Sequence, residues 1–213
     1  MQAAKAADHL RQVDIVMAKL VEQFGLLSFQ GTRRQPNLLA SLVTSIIYQS
    51  ISVKSANAVY QRFLGLYPET PFPTAERILE TAEADLRQVG LSFAKITYLK
   101  AVAAKTAAGQ LVEASLREAS DDAIVQALTQ IKGVGQWTAQ MCLIFYFQRP
   151  DILPSGDLGI RAAIRDLYRL PALPTPPAVA AIGAGWSPYK TTAALYLWCS
   201  RGSEHANLLA DWL

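Results

Sequence analysis

Between Leu128 and Cys142 the chain reads Leu-Thr-Gln-Ile-Lys-Gly-Val-Gly-Gln-Trp-Thr-Ala-Gln-Met-Cys, and this stretch constrains the fold more than any other. An apolar helical run from Asp121 to Ile131 stops at Lys132-Gly133-Val134-Gly135, and a second run restarts at once and continues to about Phe147. The pattern predicts a helix-hairpin-helix. Two glycines around one apolar residue let the backbone turn through positive φ, while Val134 buries itself and pins the loop. The amides of Gly135 and the next few residues then open a helix, where N–H donors and the helix dipole together favour an anion such as a DNA phosphate. A plain turn between packed helices also uses glycine. Such a turn has no need, however, of Trp137 in the second helix or of Pro154-Ser155-Gly156-Asp157 beyond it.

The rest of the chain reads as helix and turn. Asp8 to Phe24 places Leu10, Val13, Met17, Leu20, Val21 and Phe24 at spacings of three and four, which predicts one amphipathic helix ended by Gly25. Gly31 to Pro36 is a polar link and the first candidate domain crossing; Arg33 and Arg34 within it could meet phosphates or simply be solvated. Asn37 to Ser50 is mostly apolar, as expected of a central helix covered on several sides. It breaks at Tyr48-Gln49-Ser50-Ile51-Ser52, and a further helix runs from about Ser52 to Leu66 with Ser52 as its cap. Thr74 opens a segment with a capping signature, Ala84 to Val89 is a short helix closed by Gly90, and a long helix follows Leu91 through Ala108. Tyr67 to Pro73 and Pro171 to Pro177 read as proline-rich breaks, and Leu158 to Leu170 and Thr191 to Cys199 as the last helices. No run alternates with period two over a convincing length, so the fold class is all-α.

Composition sets limits. With 213 residues, 51% of them hydrophobic and 17% charged, the chain can bury one large core or two small ones. A net charge of +3 does not by itself point to nucleic acid, although positive groups and helix N-termini could gather on one face. Cys142 and Cys199 sit in apolar helical settings and read as buried thiols; two cysteines supply neither a disulfide framework nor a four-cysteine cluster. His9 and His205, far apart in sequence, give no zinc signature. No apolar run approaches the ~20 residues that span a bilayer, and Met1 to Lys5 lacks the apolar core of a secretory signal. The protein is expected to be soluble and cytoplasmic, or nuclear in a eukaryote, with no membrane partner.

Ile131-Lys132-Gly133-Val134-Gly135-Gln136-Trp137-Thr138-Ala139, followed by Arg149-Pro150-Asp151 and Pro154-Ser155-Gly156-Asp157-Leu158-Gly159-Ile160-Arg161, resembles the helix-hairpin-helix DNA glycosylase superfamily. Within it the chain is similar to the alkylation-repair branch, the 3-methyladenine DNA glycosylases, from about Asp8 to Trp198. The resemblance implies two helical subdomains around a cleft: residues 35–149 with the hairpin and a wedge loop, and residues 1–34 plus 150–213 with the catalytic aspartate. Gln49, Ser50 and Ile51 match the wedge that fills the gap left by a flipped nucleotide; Ser50 stands where some relatives carry a bulkier leucine or glutamine. Gly133, Gly135, Thr138 and Lys95 match phosphate-contacting positions. Trp137, Met141 and Tyr189 match positions lining the base pocket, with Met141 where some relatives have tyrosine; read from the residues alone, either aromatic could equally belong to a core. Main-chain oxygens of Thr129, Ile131 and Val134 match those that hold a structural sodium or potassium ion. No catalytic cofactor and no iron-sulfur cluster are expected.

Asp157 is the expected catalytic residue. Pro154 and Gly156 hold the chain away from helix before it, and it sits at the start of the Leu158 helix, whose dipole helps keep a carboxylate ionised. An aspartate here is also simply a good N-cap. In the relatives that also cut the strand, a lysine at the hairpin position forms a Schiff base with the sugar; Trp137 stands there instead, which implies a monofunctional glycosylase without lyase activity. The expected substrate is double-stranded DNA carrying alkylated purines of the 3-methyladenine and 7-methylguanine type, and the enzyme is expected to act as a monomer. Two alternatives stay open: a non-catalytic helix-hairpin-helix module for distorted DNA, and a glycosylase for other lesions such as ethenoadenine or hypoxanthine.

Overall fold

The computed structural model describes residues 2–27 and 35–202. Arg33, Arg34 and His205 lie outside the described residues. All elements among the described residues are helical, and the chain divides into two compact units: Gln35–Phe147, and Met1–Arg34 together with Gln148–Leu213.

The N-terminal segment forms two helices, α1 (Gln2–Val13) and α2 (Ile15–Phe24), where the periodicity predicts one. Asp14 makes the break. In extended conformation, its Oδ1 accepts the N–H groups of Val16 (2.8 Å) and Met17 (3.2 Å), which turns a mid-helix position into an N-cap. Its Oδ2 accepts the Tyr168 hydroxyl and the Trp186 indole N–H (2.9 Å), residues far along the chain whose arrival no local pattern announces.

The continuous unit is built on α3 (Leu38–Tyr48), whose eleven residues are all buried. Asn37 caps it, with Oδ1 accepting the Ala40 N–H at 2.9 Å. There follow α4 (Val53–Leu64), α5 (Ala75–Glu80), α6 (Glu83–Gln88) and α7 (Phe93–Ala107). Ser52, Thr74 and Ser92 cap α4, α5 and α7, each accepting the N–H three residues on, so the Ser52 cap is as expected. Next come α8 (Glu113–Glu118), α9 (Asp121–Thr129) and α10 (Gln136–Phe145). The short α8 has no counterpart in the sequence reading: it buries none of its residues, and so shows no apolar stripe. Its Arg117 pairs with Glu113 one turn back on the same helix (2.8 Å) and lies 5.0 Å from the centroid of the Tyr146 ring. Helices α4, α7 and α10 pack around α3, and α9 packs on α10.

In the second unit α11 (Leu158–Leu167), α12 (Pro176–Ile182), a single 3₁₀ turn (Gly183–Trp186) and α13 (Lys190–Cys199) join α1 and α2. Helix α13 is the buried centre of this unit, with Thr191 to Cys199 all buried. Helix α11 ends sooner than expected because Arg169 adopts φ 55 and the Leu170 N–H bonds back to the Arg165 carbonyl (2.8 Å), a left-handed stop. The second proline-rich break is in part a helix start. Thr175 caps α12 and prolines occupy its first positions, where a missing N–H costs nothing. No helix among the described residues is long and apolar enough to cross a membrane.

Candidate active site and nucleic-acid interface

The α9–α10 hairpin closes through two main-chain bonds at 3.0 Å, Ile131 N–H to the Leu128 carbonyl and Val134 N–H to that of Ile131. Ile131 and Val134 are buried, so the loop is fastened by its apolar residues as the spacing predicts. The glycines differ, contrary to the expectation that both turn through positive φ. Gly133 does so (φ 88), whereas Gly135 is extended (φ −89, ψ 178) because it serves as the N-cap of α10. Gly133 is required for space as well: a Cβ there would lie 2.0 Å from Cγ of Tyr98 on α7. Around Gly135 nothing lies within 4 Å of a Cβ position, and as a glycine the cap residue supplies no side-chain acceptor of its own to α10. An anion can approach there.

The α3–α4 turn is tied to this hairpin by Gln49, whose Nε2 donates to the Gly133 carbonyl (3.0 Å) and to Thr138 Oγ1 (2.8 Å). The three residues that match a wedge in sequence therefore diverge. Gln49 turns inward onto the hairpin, while Ser50, held at φ 57, and Ile51, 42% exposed, form the outer part of the turn. Thr138 is buried and its hydroxyl is engaged with Gln49. Lys95 donates from Nζ to the Ile47 carbonyl at the end of α3 (2.7 Å), and burial pushes its pKa down; its ammonium thus joins α7 to α3 two residues before Gln49. Trp137 is half-buried on the first turn of α10, and Met141, one turn on, is packed in the interior at 2% exposure.

The carbonyls of Thr129, Ile131 and Val134 are uncharged, hard oxygen donors, a set suited to an alkali-metal ion rather than to zinc. Among the described residues no group of three histidine, cysteine, aspartate or glutamate side chains could hold a metal.

In the other unit Asp157 is the N-cap of α11 (φ −65, ψ 127). Its N–H bonds to the Pro154 carbonyl (2.9 Å), which forms the turn expected from Pro154-Ser155-Gly156. Two donors reach the same carboxylate oxygen, Oδ1: the Ile160 N–H at 2.8 Å and the indole N–H of Trp198 at 3.0 Å. Capping and catalysis do not exclude each other, since both use an ionised carboxylate at a helix N-terminus. Tyr189, half-buried before α13, stands with its ring centroid 5.4 Å from that of His9 on α1 at an interplanar angle of 60°. His9 Nε2 is 3.0 Å from the Gly185 carbonyl. Asp151 holds the segment around Tyr189 from the other side, accepting Ser187 Oγ–H (2.5 Å) and the Lys190 N–H (3.2 Å).

The structure thus brings Gln49, Gly133 and Thr138 together in one unit, and Asp157 with Trp198, and Tyr189 with His9, in the other. Trp198, His9 and Asp151 carry no sequence signal for these roles. Trp198 reads as the end of an apolar helix, and its partner lies 41 residues away.

The chain is similar to proteins of known function. A family model described as HhH-GPD superfamily base excision DNA repair protein matches residues 43–188. The chain is 34% identical over 195 residues to DNA-3-methyladenine glycosylase 1 of Schizosaccharomyces pombe, covering 91% of this chain and 86% of that one. Its fold superposes on the crystal structure of the Schizosaccharomyces pombe 3-methyladenine DNA glycosylase in complex with abasic DNA with a TM-score of 0.87, over 94% of this chain and 98% of that one. A DNA-3-methyladenine glycosidase from Bacillus halodurans is similar too, with a TM-score of 0.74 and 30% identity over 97% of this chain and 93% of that one. With the hairpin, the turn braced on it and the capped aspartate all inside the matched span, the chain belongs to the HhH-GPD superfamily of base excision DNA repair proteins.

Proposed function

We propose that this protein is a monofunctional DNA glycosylase that removes alkylated purines, of the 3-methyladenine and 7-methylguanine type, from double-stranded DNA, with Asp157 as its catalytic residue. The observation that carries this reading is the end-to-end similarity to a 3-methyladenine DNA glycosylase, within which Asp157 is oriented by two donors on one oxygen. Breaking the N-glycosidic bond leaves positive charge on the deoxyribose as the electron pair departs with the base. A carboxylate near C1′ stabilises that charge and takes a proton from the water that completes the abasic site. N3- or N7-alkylation already makes the purine cationic, so it leaves neutral and one carboxylate suffices where glycoside hydrolysis commonly uses two. Trp137 and Tyr189 each offer an aromatic face to such a cationic ring, worth ~0.5 to 2 kcal/mol per contact once the base has left the stack. The amides at the start of α10 would hold a phosphate, and the carbonyls of Thr129, Ile131 and Val134 would hold a structural sodium or potassium ion, whose positive charge would favour phosphate binding.

The test is release of free bases from methylated duplex DNA, followed by chromatography. Wild type releases 3-methyladenine and 7-methylguanine; Asp157→Asn falls by about a hundredfold or more. Undiminished release by Asp157→Asn overturns the mechanism. Tight binding to abasic DNA with no release by either protein would make the chain a damage-recognition module. Trp137 at the lysine position predicts no borohydride-trapped adduct with abasic DNA.

A further inference from the structure

Trp198 is buried, at 5% exposure, near the end of α13, and its indole N–H is aimed at Asp157 Oδ1 at 3.0 Å. The second donor to that oxygen is a main-chain amide, Ile160 N–H at 2.8 Å, which belongs to the helix cap and is kept by every substitution except proline. Gly159 sits between the two side chains. A Cβ on it would come within 3.1 Å of Asp157 Oδ1, tighter than most real contacts, and within 3.4 Å of Trp198 Cδ1, an ordinary contact, so a side chain at 159 would press on the carboxylate.

From this geometry we infer that Trp198 is a positioning residue for the glycosylase reaction, fixing the plane of the Asp157 carboxylate through its indole N–H, with Gly159 leaving the carboxylate room beside it. The inference rests on the reading of Asp157 as catalytic. A lone N-cap bond leaves a carboxylate able to swing about its side-chain torsions. Two donors arriving on one oxygen from different directions, one in the backbone and one on a separate buried helix, fix both its rotamer and its plane. A carboxylate that need not reorganise as charge develops is a better stabiliser of that charge.

The experiment compares Trp198→Phe, which removes the N–H and keeps an aromatic ring, with Gly159→Ala, which keeps both partners and presses a methyl group on the Asp157 carboxylate. Single-turnover release of 7-methylguanine is expected to fall about tenfold in each, while the Kd for abasic DNA stays within about twofold of wild type, because the donor acts on the reacting carboxylate and not on DNA. In an Asp157→Asn background Trp198→Phe is expected to produce no further loss. The indole N–H resonance of Trp198, assigned by its disappearance in Trp198→Phe, is expected to move in Asp157→Asn; this readout needs no activity. Wild-type rates in folded Trp198→Phe and Gly159→Ala, with Asp157→Asn inactive, overturn the positioning role and leave the catalytic assignment standing. An active Asp157→Asn overturns the assignment itself. A Trp198→Phe protein that loses rate and DNA affinity together, with Gly159→Ala silent, reduces Trp198 to a packing residue and likewise overturns the inference.

Discussion

Single residues in this protein were readable from sequence where their role is local. Gly133, Val134 and Asp157 announce themselves by their neighbours: a glycine pair around an apolar residue, and an aspartate after Pro-Ser-Gly at a helix start. What the sequence cannot display is a partner brought from a distance. Gln49 resembles a wedge residue in one dimension and is a brace in three, because its acceptors lie 84 and 89 residues further along. The two hairpin glycines look equivalent as letters and are not. Gly133→Ala, with positive φ and a Cβ driven into Tyr98, is expected to cost more than ~2 kcal/mol in urea unfolding. Gly135→Ala is expected to change stability little and to be felt in DNA affinity, since its Cβ would stand in open space at the mouth of α10. Cys142 gives a further check at this scale. Its thiol is fully buried, and desolvation pushes its pKa up to about 12. Native protein should therefore leave Cys142 unlabelled by iodoacetamide at pH 8, with full labelling in denaturant.

Elements were legible in proportion to how much apolar surface they bury. α3 and α10 show dense apolar sequence and were placed to within a few residues, whereas α8 buries nothing and left no periodic trace. Proline misled in one place. Its reading as a breaker holds inside a helix, but at the first turn of α12 the same residue is an initiator. Asp14 misled in another, because Val13 and Met17 continue the spacing across it while its side chain redirects the backbone. That carboxylate accepts four donors, two from its own helix and one each from Tyr168 and Trp186. Asp14→Ala removes the cap of α2 and leaves a tyrosine hydroxyl and an indole N–H without their acceptor. A loss of about 3 kcal/mol is expected in chemical denaturation, compared with about 1 kcal/mol for a cap such as Ser120→Ala, whose side chain serves one amide.

For the whole molecule, buried tyrosines set the alkaline limit. Burial raises the pKa of Tyr67, Tyr146, Tyr168 and Tyr196, that of Tyr146 to about 12 from an ordinary 10.0 with help from Glu113. A group whose proton is held more tightly in the folded state contributes stability that is complete below its unfolded pKa and is lost as pH rises through the folded one. The buried Cys142 thiol, raised from 9.0 to about 12, adds to the same loss, so the thermal midpoint is expected to be flat up to about pH 8.5 and to fall between about pH 9 and 12, with tyrosinate absorbance appearing together with unfolding. A midpoint indifferent to pH across that interval would contradict it. The division of the chain into one continuous unit and one assembled from both ends has a further consequence, which concerns biosynthesis. Helices α1 and α2 leave the ribosome first, yet the residues that satisfy Asp14 and the helix that covers α2 are made last. Residues 35–147 can close their own core in the meantime. A nascent chain arrested shortly after Phe147 has emerged should hold a protease-resistant middle behind a cleavable N-terminal segment, which becomes protected only when α13 is released.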